Sequence, residues 1–132
     1  MKKVIFACVH NAGRSQMAAA FFNKFADAEK AIAISAGTEP GKSVHPIVLD
    51  IMNEIGMDLS KAIPTRLTGE LSRDCYMLVT MGCGEKCPYL PGVLREDWLL
   101  EDPKDKPILQ VRIIRDDILN RVKSLIEREE WD

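Results

Sequence analysis

Cys8 and Arg14 bracket the short run Val9, His10, Asn11, Ala12 and Gly13, and Ser15 follows the arginine directly. If this run wraps from the end of a strand into a helix, its backbone N–H groups point inward. The helix dipole adds positive potential, and a tetrahedral oxyanion can sit in the cradle. Cys8 would then lie beneath the anion as a thiolate nucleophile, and the planar fork of Arg14 could hold two anion oxygens into the transition state. Asn11 suits a left-handed turn within the run. His10 could act on the sulfur or point outward. The competing reading makes Cys8 a small buried apolar residue and Arg14 a solvated one. Against it, an arginine in a helix's first turn opposes the dipole, and a bound anion removes that anomaly.

Two further features carry chemistry. The stretch from Met81 to Pro88 holds Cys83 and Cys87 among glycines. Their spacing would allow half of a tetrahedral zinc site, but Cys75 precedes a buried strand and the two histidines fall in separate loops, so no metal is expected. Asp102, stiffened by Pro103, is a carboxylate that could protonate a departing oxygen, although it is one of 20 acidic residues.

The elements that must position these groups are legible in the hydrophobic pattern. Lys3 to Cys8 reads as a strand buried on both faces, and Met17, Phe21 and Phe25 recur at helical spacing from Ser15 onward. Ala31 to Ser35 reads as a second strand, and Pro46 opens a helix that Gly56 stops. A short helix is predicted from about Thr68 to Arg73, then a strand from Tyr76 to Thr80 and a short fourth strand within Val93 to Trp98. After Pro107, Val111, Ile114, Ile118, Val122 and Leu125 mark a long amphipathic helix. Strands alternating with helices predict an α/β fold, a parallel sheet with helices on both faces. Ligands of such sheets bind beyond the carboxyl ends of the strands, where Cys8, Ser35 and Thr80 should lie.

Composition narrows the function. The 132 residues are 46% hydrophobic and 29% charged, which suits one domain over 1–132 with a core that needs no staples. A formal net charge of -2 argues against nucleic acid or an anionic membrane as partner. The apolar run Val4 to Val9 is too short for a signal core or a span, so a cytoplasmic location is expected. Thiols stay reduced there, which points to chemistry rather than scaffolding for the cysteines.

The anion loop, together with Ser35-Ala36-Gly37-Thr38, His45-Pro46 and Glu101-Asp102-Pro103, resembles the low-molecular-weight phosphatase family, which includes protein tyrosine phosphatases and arsenate reductases. The resemblance covers essentially the whole chain. It implies a three-layer, flavodoxin-like sandwich around a four-stranded parallel sheet, with Cys8 as nucleophile, Arg14 as oxyanion clamp and Asp102 as general acid. Asn11, Ser15 and Ser35 match the residues that shape the loop and stabilise the thiolate.

Two departures separate this chain from the phosphatases of that family. Lys104, Asp105 and Lys106 follow the acid where those enzymes carry aromatic residues, and Gly13 stands where they commonly have a second cysteine. Arsenate reduction takes two electrons, which Cys83 and Cys87 could supply on closing to a disulfide. The resemblance therefore implies an arsenate reductase, with phosphate and sulfate as competing anions and no tightly bound cofactor. A tyrosine phosphatase and a non-catalytic thiol protein that binds arsenite or an oxyanion are the alternatives. The Met81-Gly82-Cys83-Gly84 run and the His10-to-Gly13 loop look closest to the branch that transfers arsenate to a small thiol such as mycothiol. The short Cys83 to Cys87 separation slightly favours an external thiol, mycothiol or glutathione with a glutaredoxin-like partner, over an internal pair served by thioredoxin. Arg14→Lys replaces a planar fork by a point charge and is expected to lower turnover at least about tenfold, measured as arsenite formed from arsenate.

Overall fold

The amino-terminal run forms the centre of the sheet because it is apolar on both sides. Val4, Phe6 and Cys8 pack into one hydrophobic cluster, while Ile5 and Ala7 pack into another. The structure is a computed structural model that describes residues 1–83 and 87–132. In it β1 (Lys2–Cys8) pairs in parallel with β2 (Ala31–Gly37) and with β3 (Met77–Thr80), and β4 (Leu94–Asp97) completes a sheet of order β2-β1-β3-β4. The chain leaves β1 toward β2 and later returns to its other side. The carboxyl end of β1 is thus the switch point at which such sheets bind ligands.

Helices α1 (Arg14–Phe25), α2 (Pro46–Asn53) and α3 (Ile108–Arg128) all contribute to the cluster built on Val4 and Phe6. Phe22 is the hinge of that packing. Its ring meets Phe6 at 5.9 Å and Trp131 at 5.7 Å between centroids, and Trp98 closes on Phe6 at 5.7 Å. Trp98 is therefore a packing residue. Helix α2 stops where expected, since Gly56 takes φ +77° and Met57 N–H reaches back to the carbonyl of Met52 at 3.0 Å.

The opposite face departs from the sequence expectation of helices on both sides. Ile5, Ala7 and Leu78 are covered by Leu67, Leu71 and Cys75, and by Cys83, Cys87, Leu90 and Val93. This third layer holds no regular helix among the described residues. The helix predicted from Thr68 to Arg73 is a string of turns, because the Thr68 and Ser72 hydroxyls bond the nearby backbone and Asp74 takes φ 60°. No helix among the described residues is long and apolar enough to cross a membrane.

Phe22 is fully buried. Truncation to alanine removes the ring that joins the sheet, α1 and Trp131, and is expected to cost about 3–5 kcal/mol, read from urea unfolding midpoints.

Candidate active site

The loop after β1 is shaped by what its carbonyls bind. Those of Cys8, Val9, His10 and Ala12 accept the N–H groups of Thr38 (3.3 Å), Glu39 (2.8 Å), Gly41 (2.9 Å) and His45 (2.9 Å). The Asn11 carbonyl accepts Gln16 Nε2 at 3.1 Å, and that of Gly13 accepts the N–H of Met17 in α1 at 3.0 Å. In a trans peptide the carbonyl and the following N–H point in opposite directions. Every carbonyl from Cys8 to Gly13 is engaged away from the loop's hollow, so the N–H groups of Val9 through Arg14 face into it. Asn11 makes the necessary reversal with φ 51°.

Gly37, at the end of β2, permits the close approach of the two chains. A Cβ there would lie 2.7 Å from the Val9 carbonyl oxygen and 3.0 Å from Asn11 N. Ser35 lies further back in β2. It pairs with Phe6 in the body of the sheet, two positions short of the strand end, because β2 runs on to Gly37.

Beneath the hollow, Cys8 Sγ lies 2.8 Å from Ser15 Oγ. Asn11 Nδ2 donates to that same oxygen at 2.6 Å, which leaves the Ser15 hydrogen free to be donated to the sulfur. Asn11 Oδ1 is held in turn by Thr65 N–H at 2.9 Å and Gln16 Nε2 at 3.1 Å. A donated hydroxyl hydrogen favours a sulfur that carries negative charge. His10 points outward, exposed, with Nδ1 bonded to the Glu39 carbonyl at 2.9 Å, which settles the two orientations open to it.

Arg14 opens α1 and is almost fully buried, its Nη1 bonded to the Leu100 carbonyl at 3.2 Å. Its Nη2 lies 3.7 Å from Asp102 Oδ2, so the guanidinium and this carboxylate share one mouth although they are far apart in sequence. Gly82 was not legible as a site residue. It takes φ +101°, and a Cβ on it would lie 2.2 Å from Arg14 Nη1, so the guanidinium rests directly on its backbone. His45 completes the mouth. Burial pushes it below its ordinary value of 6.5 against the pull of Asp102, and Lys104 and His10 add to the lowering.

Cys83 and Cys87 are joined as a disulfide with 5.6 Å between their Cα atoms. Cys83 Sγ lies 3.9 Å from the carbonyl oxygen of Ala7, next to Cys8, but it packs on the opposite face of the sheet. Gly84, Glu85 and Lys86 of this loop lie outside the described residues. A cleft of about 640 Å³ opens beside the disulfide, lined by Gly82, Cys87, Tyr89, Asp97 and Leu99 among others. Cys75 stands apart: burial pushes its thiol up, and its Sγ bonds the Met77 carbonyl at 3.0 Å. Among the described residues no group of three His, Cys, Asp or Glu side chains could hold a metal ion.

Residues 3–130 match the family described as low molecular weight phosphotyrosine protein phosphatase. A relative from Halobacterium salinarum, provisionally named an arsenate reductase, is 40% identical over 92% of this chain and 89% of its own length. A glutaredoxin arsenate reductase from Synechocystis is 34% identical over 97% of this chain and 98% of its own. Among solved structures, a thioredoxin-dependent arsenate reductase from Corynebacterium glutamicum superposes with a TM-score of 0.83 at 39% identity. That match covers 97% of this chain, which spans only 61% of the other.

Ser15→Ala deletes the hydrogen bond between Ser15 and the Cys8 sulfur. A hydrogen bond to a charged group contributes about 1.5–3 kcal/mol, so alkylation of Cys8 by iodoacetamide at neutral pH is expected to slow about tenfold or more. An unchanged rate would remove Ser15 from the site.

Proposed function

This chain belongs to the low molecular weight phosphotyrosine protein phosphatase family, and we propose that within it residues 1–132 act as one arsenate reductase domain. The observation that carries this reading is the Cys83–Cys87 disulfide beside the anion loop, on the segment that supports Arg14. Hydrolysis of a phosphate ester uses no electrons. Reduction of arsenate to arsenite uses two, and a dithiol supplies them on closing. Relatives named for arsenate reduction support the same reading.

In the first step the Cys8 sulfur attacks arsenic. An arsenic–oxygen bond breaks, and the oxygen leaves as water with a proton from Asp102. The inward N–H groups and the Arg14 fork stabilise the charge on the remaining oxygens. Cys83 thiolate then attacks the Cys8 sulfur, a sulfur–sulfur bond forms, and the sulfur–arsenic pair passes to arsenic as arsenite departs. Cys87 thiolate attacks Cys83 and frees Cys8.

The spacing of Cys83 and Cys87 accommodates their bond, which favours this internal route over a small thiol such as mycothiol. A dithiol protein of the thioredoxin or glutaredoxin kind would reopen the disulfide through the cleft at Cys87. Phosphate and sulfate would compete for the loop. Past Asp102, the exposed Lys104, Asp105 and Lys106 offer no ring to flank a phosphotyrosine.

A single turnover of reduced protein with arsenate and no added thiol tests this. Stoichiometric arsenite and a peptide-mapped Cys83–Cys87 disulfide are expected, with Cys83→Ser inactive. Arsenite formed only with mycothiol or glutathione, with Cys83 and Cys87 left free, would replace the internal route by the small-thiol one. Phosphate ester hydrolysis without any arsenite would overturn the function.

A further inference from the structure

Asp102 and Pro103 reach the anion loop from the connection between β4 and α3, and the missing side chain at Gly13 lets them come so close. A Cβ on Gly13 would lie 2.9 Å from Pro103 Cγ and 3.6 Å from His45 Cδ2. The backbone of each neighbour is anchored. Pro103 is buried in a turn closed by Lys106 N–H on the Pro103 carbonyl at 3.3 Å and by Lys104 N–H on Asp102 Oδ1 at 3.0 Å. Asp105 holds φ 61° to complete that turn. His45 is tied through its backbone N–H to the Ala12 carbonyl at 2.9 Å.

We propose that Gly13, His45 and Pro103 form a seat on which the acid turn rests, making position 13 and His45 positioning residues for Asp102. This rests on the role given to Asp102 above. The step at stake is the first one, in which the sulfur–arsenic bond forms, an arsenic–oxygen bond breaks and water departs with the Asp102 proton; no electrons are exchanged. Carbon atoms pack best at about 3.5–4.0 Å, so a methyl group at position 13 must lift the proline ring by roughly 0.6 Å or more. A displacement of about 1 Å can cost about a hundredfold in rate, so the lift should be felt directly in proton delivery.

The seat also gives His45 a signature of its own. The groups that face it are Asp102, Lys104 and Asp105 from the acid turn and His10 from the anion loop, with Lys106 lining the same hollow. Burial is the largest influence and holds its titration below 6.5, so His45 is neutral at neutral pH and gains a proton only as the solution is acidified. Lifting the turn opens the ring to water and so relieves the burial that is the largest of these influences.

The test compares Gly13→Ala, Pro103→Ala and the double variant by the single-turnover rate of Cys8–arsenic adduct formation, alongside the His45 ring titration by NMR. Gly13→Ala is expected to slow adduct formation about tenfold and to move the His45 midpoint upward. Adding Pro103→Ala removes the clashing Cγ and should recover most of the lost rate, a non-additivity expected only of groups in contact. Additive losses, or a Gly13→Ala protein with wild-type rate and an unmoved His45, would overturn the seat. Should Gly13→Ala fail to fold, Asp102→Asn serves: it must lower the His45 midpoint by removing the opposing charge, and an unmoved midpoint refutes the seat. A wild-type protein that makes no arsenite would sink the proposed function, while the His45 titrations would still judge the seat.

Discussion

The site depends on one constraint: the carbonyls from Cys8 to Gly13 are claimed from outside the loop. The segment from Thr38 to His45 takes four of them, Gln16 takes a fifth and α1 takes the last. Peptide planarity turns this into a ring of inward donors without any side chain having to bind the anion. Buried backbone groups must be paired, so the outward carbonyls and inward N–H groups are two sides of one requirement. Donors fixed in this way by the rest of the chain are of the kind that stabilises developing charge most effectively.

The rest of the molecule serves this arrangement at a distance. A central strand apolar on both faces places Cys8 at the switch point of the sheet. Three helices packed on one side leave the other to turns and loops, and there the disulfide lies. Cys8 and the Cys83–Cys87 pair are thus separated by the thickness of the sheet but share its rim, and Gly82 touches Arg14 across that boundary.

Local pattern made much of this readable. The strand-helix-strand unit followed from a buried run changing to helical spacing, and Asn11 was identified by its tolerance of the left-handed region. The mouth-forming glycines were not readable in the same way. Gly13, Gly37 and Gly82 owe their roles to neighbours distant in the chain (Pro103, Val9 and Arg14), and no local period encodes such a meeting. The reach of β2 beyond Ser35 escaped for a related reason, since Ala36 and Gly37 carry little hydrophobic signal but pair fully with Ala7 and Cys8. The helix expected at Thr68 to Arg73 lost to hydroxyls that bond the nearby backbone.

Cys75 gives the molecule a property unrelated to turnover. It shares the third layer with the Cys83–Cys87 disulfide yet takes no part in it: burial pushes its thiol up, and its Sγ donates to the Met77 carbonyl at 3.0 Å. Thiol–disulfide exchange needs a thiolate, so a thiol held in its neutral form is a poor attacker. The pairing of the other two sulfurs is thereby guarded against scrambling by a third one in the same layer.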